Sequence, residues 1–444
     1  MSDFAATISD FIWGPWTIAL LVLVGIAMTV FSRAIQIRKF GLAVRLIMKG
    51  ALKRDHTQEE RGEISPFQAL TTAMAATIGN GNIAGVATAI AIGGPGAAVW
   101  MVVMAPLGMA TKFAEVFLAV KYRIESKDGT LLGGPMVYLE KGAGLPVLGL
   151  IFALCASLGA IGGGNLAQAN SVALVMFTEF GISKWISGLI LTMLLASVVL
   201  GGIKRIGQVA ERLVPSMVVL YVFGVIIILV ANIENLPDAI KLIFSSAFTP
   251  VAAVGGFAGS TIARTIEYGI RRGVISSEAG LGSAGIAHSA AKTSNPMRQG
   301  IIAMMGVFID TIIVCMATAS VVVITGVWSS GEMSTAMVAS AFNANIPYGG
   351  IVVAICSLLF GFTSLVAWAY YGEQALRYVM KGAHIGTIYR LSWCGLAFIG
   401  SIYGVKIIWD ISDFLIGLMV IPNVVGLVFL GRQIRLGVKE PHNL

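Results

Sequence analysis

The sequence predicts an all-α polytopic membrane protein, a single bundle of about eleven transmembrane helices of which two are discontinuous. Three observations carry this expectation. The 444 residues are 57% hydrophobic and 12% charged, with a mean hydropathy of +0.87, where soluble domains carry about 25% charged residues. The apolar residues form charge-free runs such as Phe11 to Phe31, Trp185 to Ile203 and Leu213 to Ile233, each close to the ~20 residues that cross a bilayer as a helix. The 53 glycines are unevenly spread, and in the middle of two runs they collect with polar residues.

Along the chain the expected spans are 11–33, 66–92, 95–121, 146–178, 185–203, 213–233, 257–290, 297–327, 348–380, 386–404 and 409–431. No basic residue precedes the first run, and Asp3 and Asp10 do, so it reads as a true span rather than a cleaved signal. The stretch from Arg33 to Glu63 mixes basic and apolar residues at helical spacing, as an amphipathic helix on a leaflet surface does. Residues 235–249 read as a similar surface element. If the N-terminus is outside, 23 of the 30 Lys and Arg fall on inner loops and adjoining helix ends, against Lys184, Lys241 and Lys406 on outer ones. Basic residues accumulate on the cytoplasmic side, so the net charge of +8 is an orientation signal and not a nucleic-acid footprint. The expected place is the plasma or inner membrane, with the C-terminus cytoplasmic. Cys155, Cys315, Cys356 and Cys394 lie in apolar runs without paired spacing, which suits packing rather than disulfides or metal.

The polar interruptions locate the chemistry. Span two carries Gly79-Asn80-Gly81-Asn82 about halfway across, where hydrocarbon tolerates no unsatisfied polar group. An unwound segment lining a cavity resolves this, because half-helix N-termini attract carboxylates while freed carbonyls and Asn oxygens ligate cations. Span seven is interrupted by Ser276-Ser-Glu-Ala-Gly-Leu-Gly-Ser-Ala-Gly285. The two breaks are five helices apart and run in opposite directions, and both follow a Ser/Thr-Pro pair, Ser65-Pro66 and Thr249-Pro250. Residues 66–233 and 257–431 then form two inverted sets of five within one integral domain over 1–444. Span one is a peripheral extra helix. Broken helices at matching places in inverted halves point to a secondary transporter.

Other polar residues lie at depth. Asn165 and Gln168 share a face of span four, and either line the cavity, with Gln168 bonding substrate, or join helices. Asp310 in span eight either neutralises a second cation or holds a neighbouring helix. Glu278 either caps freed N–H groups or pairs with Arg271 or Arg272. Lys112 and Glu115, at i,i+3, read as a self-paired couple. The histidines show no metal-ligand spacing.

At these residues the chain resembles the alanine or glycine:cation symporter family, part of the amino acid-polyamine-organocation superfamily. The segments that carry the resemblance are Gly79-Asn-Gly-Asn-Ile-Ala-Gly-Val-Ala-Thr-Ala89, Gly93-Gly-Pro-Gly-Ala-Ala-Val-Trp-Met101, Gly133-Gly-Pro-Met136, Ser277-Glu-Ala-Gly-Leu-Gly-Ser283, Asn295-Pro-Met-Arg-Gln-Gly300 and Gly306-Val-Phe-Ile-Asp-Thr311. One departure is Val99-Trp100-Met101-Val102, where the family usually continues Phe-Trp-Met-Trp, a change expected to affect packing rather than transport. The resemblance implies a LeuT-type fold with 5+5 inverted repeats, and sodium-coupled uptake of small neutral amino acids such as alanine and glycine.

Carried over by motif, Thr77, Gly79, Asn80, Gly81 and Asn82 meet the substrate carboxylate, and Ser277 and Gly280 meet its ammonium. Read from their own positions, Gln168 joins the substrate residues, and Trp368, one turn past Ser364, either forms an aromatic wall near the substrate or packs in the core. Carbonyls of Ala75 and Ile78 face sodium, which Phe360, Thr363 and Ser364 of span nine complete. Asp310 is the candidate for a second cation. Hard oxygens suit an alkali ion, although adjacent Thr and Ser hydroxyls in a membrane helix also bond back to the preceding turn. Sodium here is a coupling ion and no cofactor is expected. Protons are the alternative coupling ion.

Other functions fit less well. A channel needs a continuous polar pore, and the polar clusters here are isolated at mid-depth. No His-Glu-x-x-His, Gly-x-Ser-x-Gly, paired intramembrane Asp or phosphate loop is present, which argues against an intramembrane enzyme or a primary pump.

Overall fold

The computed structural model describes residues 12–52, 61–126, 129–380, 384–403 and 406–440, without the side chains of 406–412. Residue 11 of span one, residues 53–60 of the amphipathic stretch and the Lys406 side chain lie outside the described residues. Helices dominate, accompanied by a two-stranded hairpin that pairs Ile124–Glu125 with Leu131–Leu132.

Each predicted interval contains a helix or a broken helix. Among the described residues, six helices are long and apolar enough to cross a bilayer alone, and up to eight if each bent pair is one span. The six are Ala97–Tyr122, Pro146–Phe180, Gly202–Ala231, Pro296–Ile324, Gly349–Val379 and Ile385–Ile402. Pro66–Thr77 and Gly81–Gly93 form one bent pair, and Asp413–Phe429 with Gly431–Lys439 the other. Pro15–Phe31 and Lys184–Val199 are apolar but shorter. Span nine is continuous over Gly349–Val379.

Two boundaries differ from expectation for clear reasons. Span six begins at Gly202, because the basic stretch read as loop, Lys204 to Arg212, continues the helix beyond its apolar part. Span seven begins at Ile262 rather than 257. Thr249 bonds back to the Ser245 carbonyl at 2.8 Å and closes the preceding helix, which is the expected surface element, Leu236–Ser246. The true cap is Thr261, whose hydroxyl accepts from the Arg264 N–H at 3.3 Å. The Thr249-Pro250 match therefore marks no helix start.

Leu189, Met193, Phe223 and Val230 stand exposed on the outer faces of spans five and six, as lipid-facing side chains do. The helix ends sort into two groups. Trp100 Nε1 donates to the Ala247 carbonyl at 3.1 Å and Asn232 Nδ2 to Asn345 Oδ1 at 2.6 Å, joining segments read as outer. At the other end the Arg123 guanidinium donates to the carbonyls of Ser289 at 2.7 Å, Ala291 at 2.8 Å and Arg61 at 3.0 Å. It thereby fastens the segment entering span two to the segment leaving span seven. The four cysteines are buried and free.

At that same end Glu373, 1% exposed, meets Arg377 Nε at 3.0 Å and Arg390 Nε and Nη2 at 2.7 Å each. Removing the carboxylate leaves two half-buried guanidinium groups without their partner, which costs about 3–5 kcal/mol when a buried pair is broken. Glu373→Ala is therefore expected to lower the melting temperature of the detergent-solubilised protein. An unchanged melting temperature would show that solvent already screens the pairs.

Candidate functional site

Span two is built to stop halfway. The Ser65 hydroxyl accepts from Gln68 N–H at 3.1 Å while Gln68 Oε1 accepts from Ser65 N–H at 3.0 Å, a reciprocal cap that fixes the helix start. The helix runs to Thr77, Ile78 leaves helical geometry with ψ 87°, and the chain resumes at an angle of 52°. A wide π-type turn follows over Gly81–Gly85. Similar wide turns occur at Ala160–Leu166 in span four and Phe308–Cys315 in span eight. Such turns often mark functional sites, and here they flank the two breaks.

The first break lies against span nine. Ser364 Oγ donates to the Ala75 carbonyl at 3.2 Å, so two of the predicted cation oxygens touch. Gly79 is required by close approach rather than by its backbone angles. A Cβ there would lie 2.6 Å from Ser364 Oγ. Thr363 bonds back to the carbonyls of Leu359 at 3.0 Å and Phe360 at 3.1 Å, the alternative weighed for this pair. Ala75, Ile78, Phe360, Thr363 and Ser364 are all buried.

A cavity of about 730 Å³ adjoins this contact. Thr77, Gly79, Asn80 and Gly81 contribute from span two, Gln168 from span four, and Ser364 and Trp368 from span nine. Ser357 Oγ donates to Asn80 Oδ1 at 2.6 Å, and Asn80 Nδ2 reaches Gln168 Oε1 at 3.4 Å. Trp368 is pressed in by Gly164, where a Cβ would stand 2.5 Å from the Trp368 Cβ. The wall extends past Arg272 to Thr178 and Glu179 at the end of span four and to Ser334 in the segment between spans eight and nine, segments read as lying on the side of the Trp100–Ala247 contact.

Three predicted substrate residues do not line this cavity. Asn82 is fully buried, with Oδ1 accepting from Gly79 N–H at 3.0 Å and Nδ2 donating to Asp310 Oδ1 at 2.6 Å and Ser276 Oγ at 3.0 Å. Its short amide satisfies the break from behind. Ser277 Oγ bonds back to the Gly273 carbonyl at 2.7 Å. Gly280 is held away from the cavity by Glu115 and Asn423.

Asp310 is the centre of that buried network. It accepts from Asn82, from Ser276 Oγ at 2.9 and 3.0 Å, and from Thr311 Oγ1 at 3.0 Å. Thr318 Oγ1 donates to the Asn82 carbonyl at 2.8 Å and stands 2.7 Å from the Tyr221 hydroxyl. Spans two, six, seven and eight thus meet on one carboxylate and its neighbours. Asn165 joins helices instead, donating to the carbonyl of Trp393 at 2.8 Å, whereas Asn170 lines the cavity and also donates to the carbonyl of Tyr403 at 2.9 Å.

Span seven unwinds after Ser277. Glu278 is left-handed at φ 52°, Gly280 at φ 99° and Gly282 at φ 80°, before helix returns at Ser283–Ser289. Glu278 lines the cavity and accepts from Ser283 Oγ across the break. It pairs with neither Arg271 nor Arg272 within ion-pair distance. The freed amides go to span three, where Glu115 Oε1 accepts from Gly280 N–H at 2.9 Å and Gly282 N–H at 3.1 Å. The expected Lys112–Glu115 couple is not formed, and Lys112 Nζ and Glu115 Oε2 are buried without hydrogen-bond partners. The i,i+3 spacing was legible, but the demand of an unwound segment for acceptors outweighs a local pair. Ser276 lay within the polar interruption read from the sequence, while Ser357 and Asn423 had no signal of their own.

Residues 1–440 match the family model described as the sodium:alanine symporter family. Sodium/alanine symporter AgcS of Methanococcus maripaludis is 42% identical over 96% of this chain and 93% of its own length. The probable sodium/glutamine symporter GlnT of Bacillus subtilis is 35% identical over 97% and 89%. The putative sodium/proton-dependent alanine carrier protein YrbD of the same organism is 34% identical over 99% and 92%. Among solved structures, MhsT in complex with L-phenylalanine aligns with a TM-score of 0.53 at 14% identity, covering 85% of this chain and 98% of that one. At that identity the likeness concerns the fold, which is of the LeuT type.

Proposed function

We propose, from the premise that this chain belongs to the sodium:alanine symporter family and is a secondary transporter rather than an enzyme, that it couples sodium entry to uptake of small neutral amino acids. The observation that carries this reading is the Ser364 Oγ to Ala75 carbonyl contact of 3.2 Å across the first break. It places neutral hard oxygens beside a cavity that ends in the backbone of Gly79 to Gly81. A zwitterion fits that neighbourhood: its carboxylate faces the N–H groups at the start of the second half-helix, with Thr77, Asn80, Gln168 and Trp368 around it. Its ammonium turns toward the carbonyls near Ser276 to Glu278.

In this reading sodium is cargo, held by the oxygens of Ala75, Ile78, Phe360, Thr363 and Ser364. A rotation of the Thr363 hydroxyl away from its own helix completes the set. Asp310, with Asn82 and Ser276, is the seat of a second cation. Residues 66–233 and 257–431 are the inverted halves, span one lies outside them, and alternating access rocks one against the other. With basic loops facing the cytoplasm, the cavity mouth at Thr178 and Ser334 is external.

The test is accumulation of labelled alanine in proteoliposomes under a sodium gradient, compared with a proton gradient of equal size. Sodium-driven accumulation that Ser364→Ala weakens by about tenfold or more in sodium affinity is expected, since a ligand to a charged group contributes about 1.5–3 kcal/mol. Accumulation driven by protons alone would remove the sodium assignment and keep the transporter. Absence of uptake for every neutral amino acid would overturn the substrate class.

A further inference from the structure

Behind the second break, on the side away from the cavity, lies a buried polar cluster that the transport reading does not use. Glu115 of span three and Asn423 of span eleven are both fully buried, and neither lines the cavity. Glu115 Oε1 takes three hydrogen bonds, from Gly280 N–H at 2.9 Å, Gly282 N–H at 3.1 Å and Asn423 Nδ2 at 2.7 Å. Asn423 Nδ2 also donates to the Gly280 carbonyl at 2.8 Å, and its Oδ1 accepts from the Tyr138 hydroxyl. Both polar groups of the Gly280 backbone are therefore held by side chains from two other helices. Glu115 Oε2, by contrast, has no hydrogen-bond partner.

This division of labour between the two oxygens has a consequence for transport. We propose that Glu115 and Asn423 are positioning residues for the substrate, acting through one acceptor oxygen rather than through the carboxylate charge. They hold residues 278–282, left-handed at Glu278, Gly280 and Gly282, in the course that keeps Glu278 against the cavity. A non-glycine residue at φ 52° is a costly conformation, and it persists only where the surroundings fix it. The clamp fixes it from behind, so the geometry offered to the substrate's ammonium depends on residues that never touch it. This rests on the reading that the second break receives the ammonium.

Two measurements on the full chain in detergent test it. The first is hydrogen–deuterium exchange of the peptide spanning residues 278–283, without any substrate. Slow exchange is expected for wild type and for Glu115→Gln, whose amide oxygen replaces Oε1, and fast exchange for Glu115→Ala and Asn423→Ala. The second is binding of labelled alanine and of sodium to the same variants. Alanine affinity is expected to fall about tenfold or more in the two alanine variants and to stay within about threefold in Glu115→Gln. Sodium affinity at the Ala75–Ser364 seat stays unchanged, because that seat belongs to the other break, whereas general misfolding would move both.

Protection of the peptide in Glu115→Ala equal to wild type would overturn the clamp. A Glu115→Gln variant as impaired as Glu115→Ala would show that the charge acts and not the acceptor. If wild type binds no alanine while the exchange contrast holds, the substrate reading fails and the clamp stands.

Discussion

Gly79→Ala is expected to lower the apparent sodium affinity of alanine accumulation by roughly 10- to 100-fold while leaving the folded protein in the membrane. The added Cβ arrives 2.6 Å from Ser364 Oγ, closer than van der Waals contact allows. The obstructing atom is the end of a short side chain, so it can turn aside without moving a helix. In turning it leaves the Ala75 carbonyl, and the cation seat loses one of its hydroxyl ligands. Gly79 N–H also bonds Asn82 Oδ1 at 3.0 Å, so any backbone shift at this position reaches the Asp310 network as well. Loss of a ligand to a charged group corresponds to roughly 10- to 100-fold in apparent sodium affinity. If displacement of the hydroxyl is the whole cause, Gly79→Ala and Ser364→Ala together cost no more than the larger single effect. Additive losses in the cycle would show that Gly79 acts through the substrate's carboxylate instead.

The second large effect is at Asp310, where two substitutions separate charge from hydrogen bonding. Asp310→Asn keeps an acceptor for Asn82 Nδ2 and a group to which the hydroxyls of Ser276 and Thr311 can adapt. Asp310→Ala strips all of them of a partner in the middle of the bundle, at about 1–3 kcal/mol for each buried polar group left unsatisfied. The alanine variant is expected to lose folded protein, read as the monodisperse fraction after detergent extraction. The asparagine variant is expected to fold and to lose steepness in the sodium dependence of uptake, the Hill slope falling toward about one if a second cation is no longer bound. An asparagine variant with the native sodium dependence would assign Asp310 to holding helices together.

These two positions also show what the sequence can and cannot disclose. The Gly79 to Asn82 break was legible because glycine and asparagine at mid-membrane contradict both helix propensity and hydrocarbon burial. Ser364 was placed by its motif, and it does reach the first break. The direction in which Asn82 points was not legible, since a polar residue in a broken helix can serve the cavity or the scaffold behind it. Which one wins depends on Asp310 and Ser276, 228 and 194 residues away in sequence. The same holds for Glu115. Its neighbour at i−3 advertised a local ion pair, while the amides that claim it are 165 and 167 residues distant. The limits of span six were misplaced because apolarity marks where lipid begins, not where a helix does.

The Arg123 clasp bears on the economy of the cell that carries this protein. A carrier dissipates an ion gradient whenever it opens to the far side with only part of its load. Protection against such leakage lies in how strongly the closed side is fastened when the seats are incomplete. One guanidinium bonded to the carbonyls of Ser289, Ala291 and Arg61 joins the segment that enters the first broken helix to the end of the second. Were the two proposed halves to rock against each other, that bundle of charge-assisted bonds would have to be released as a unit. The fastening is backbone-directed, so it depends on where the helices lie and not on which side chains surround it. A shift of either break on loading is thus felt at the clasp as a change in bond geometry. In the proposed symport such a fastening would keep slippage without cargo rare, so that the energy stored across the membrane would be spent on amino acid rather than on futile cycling.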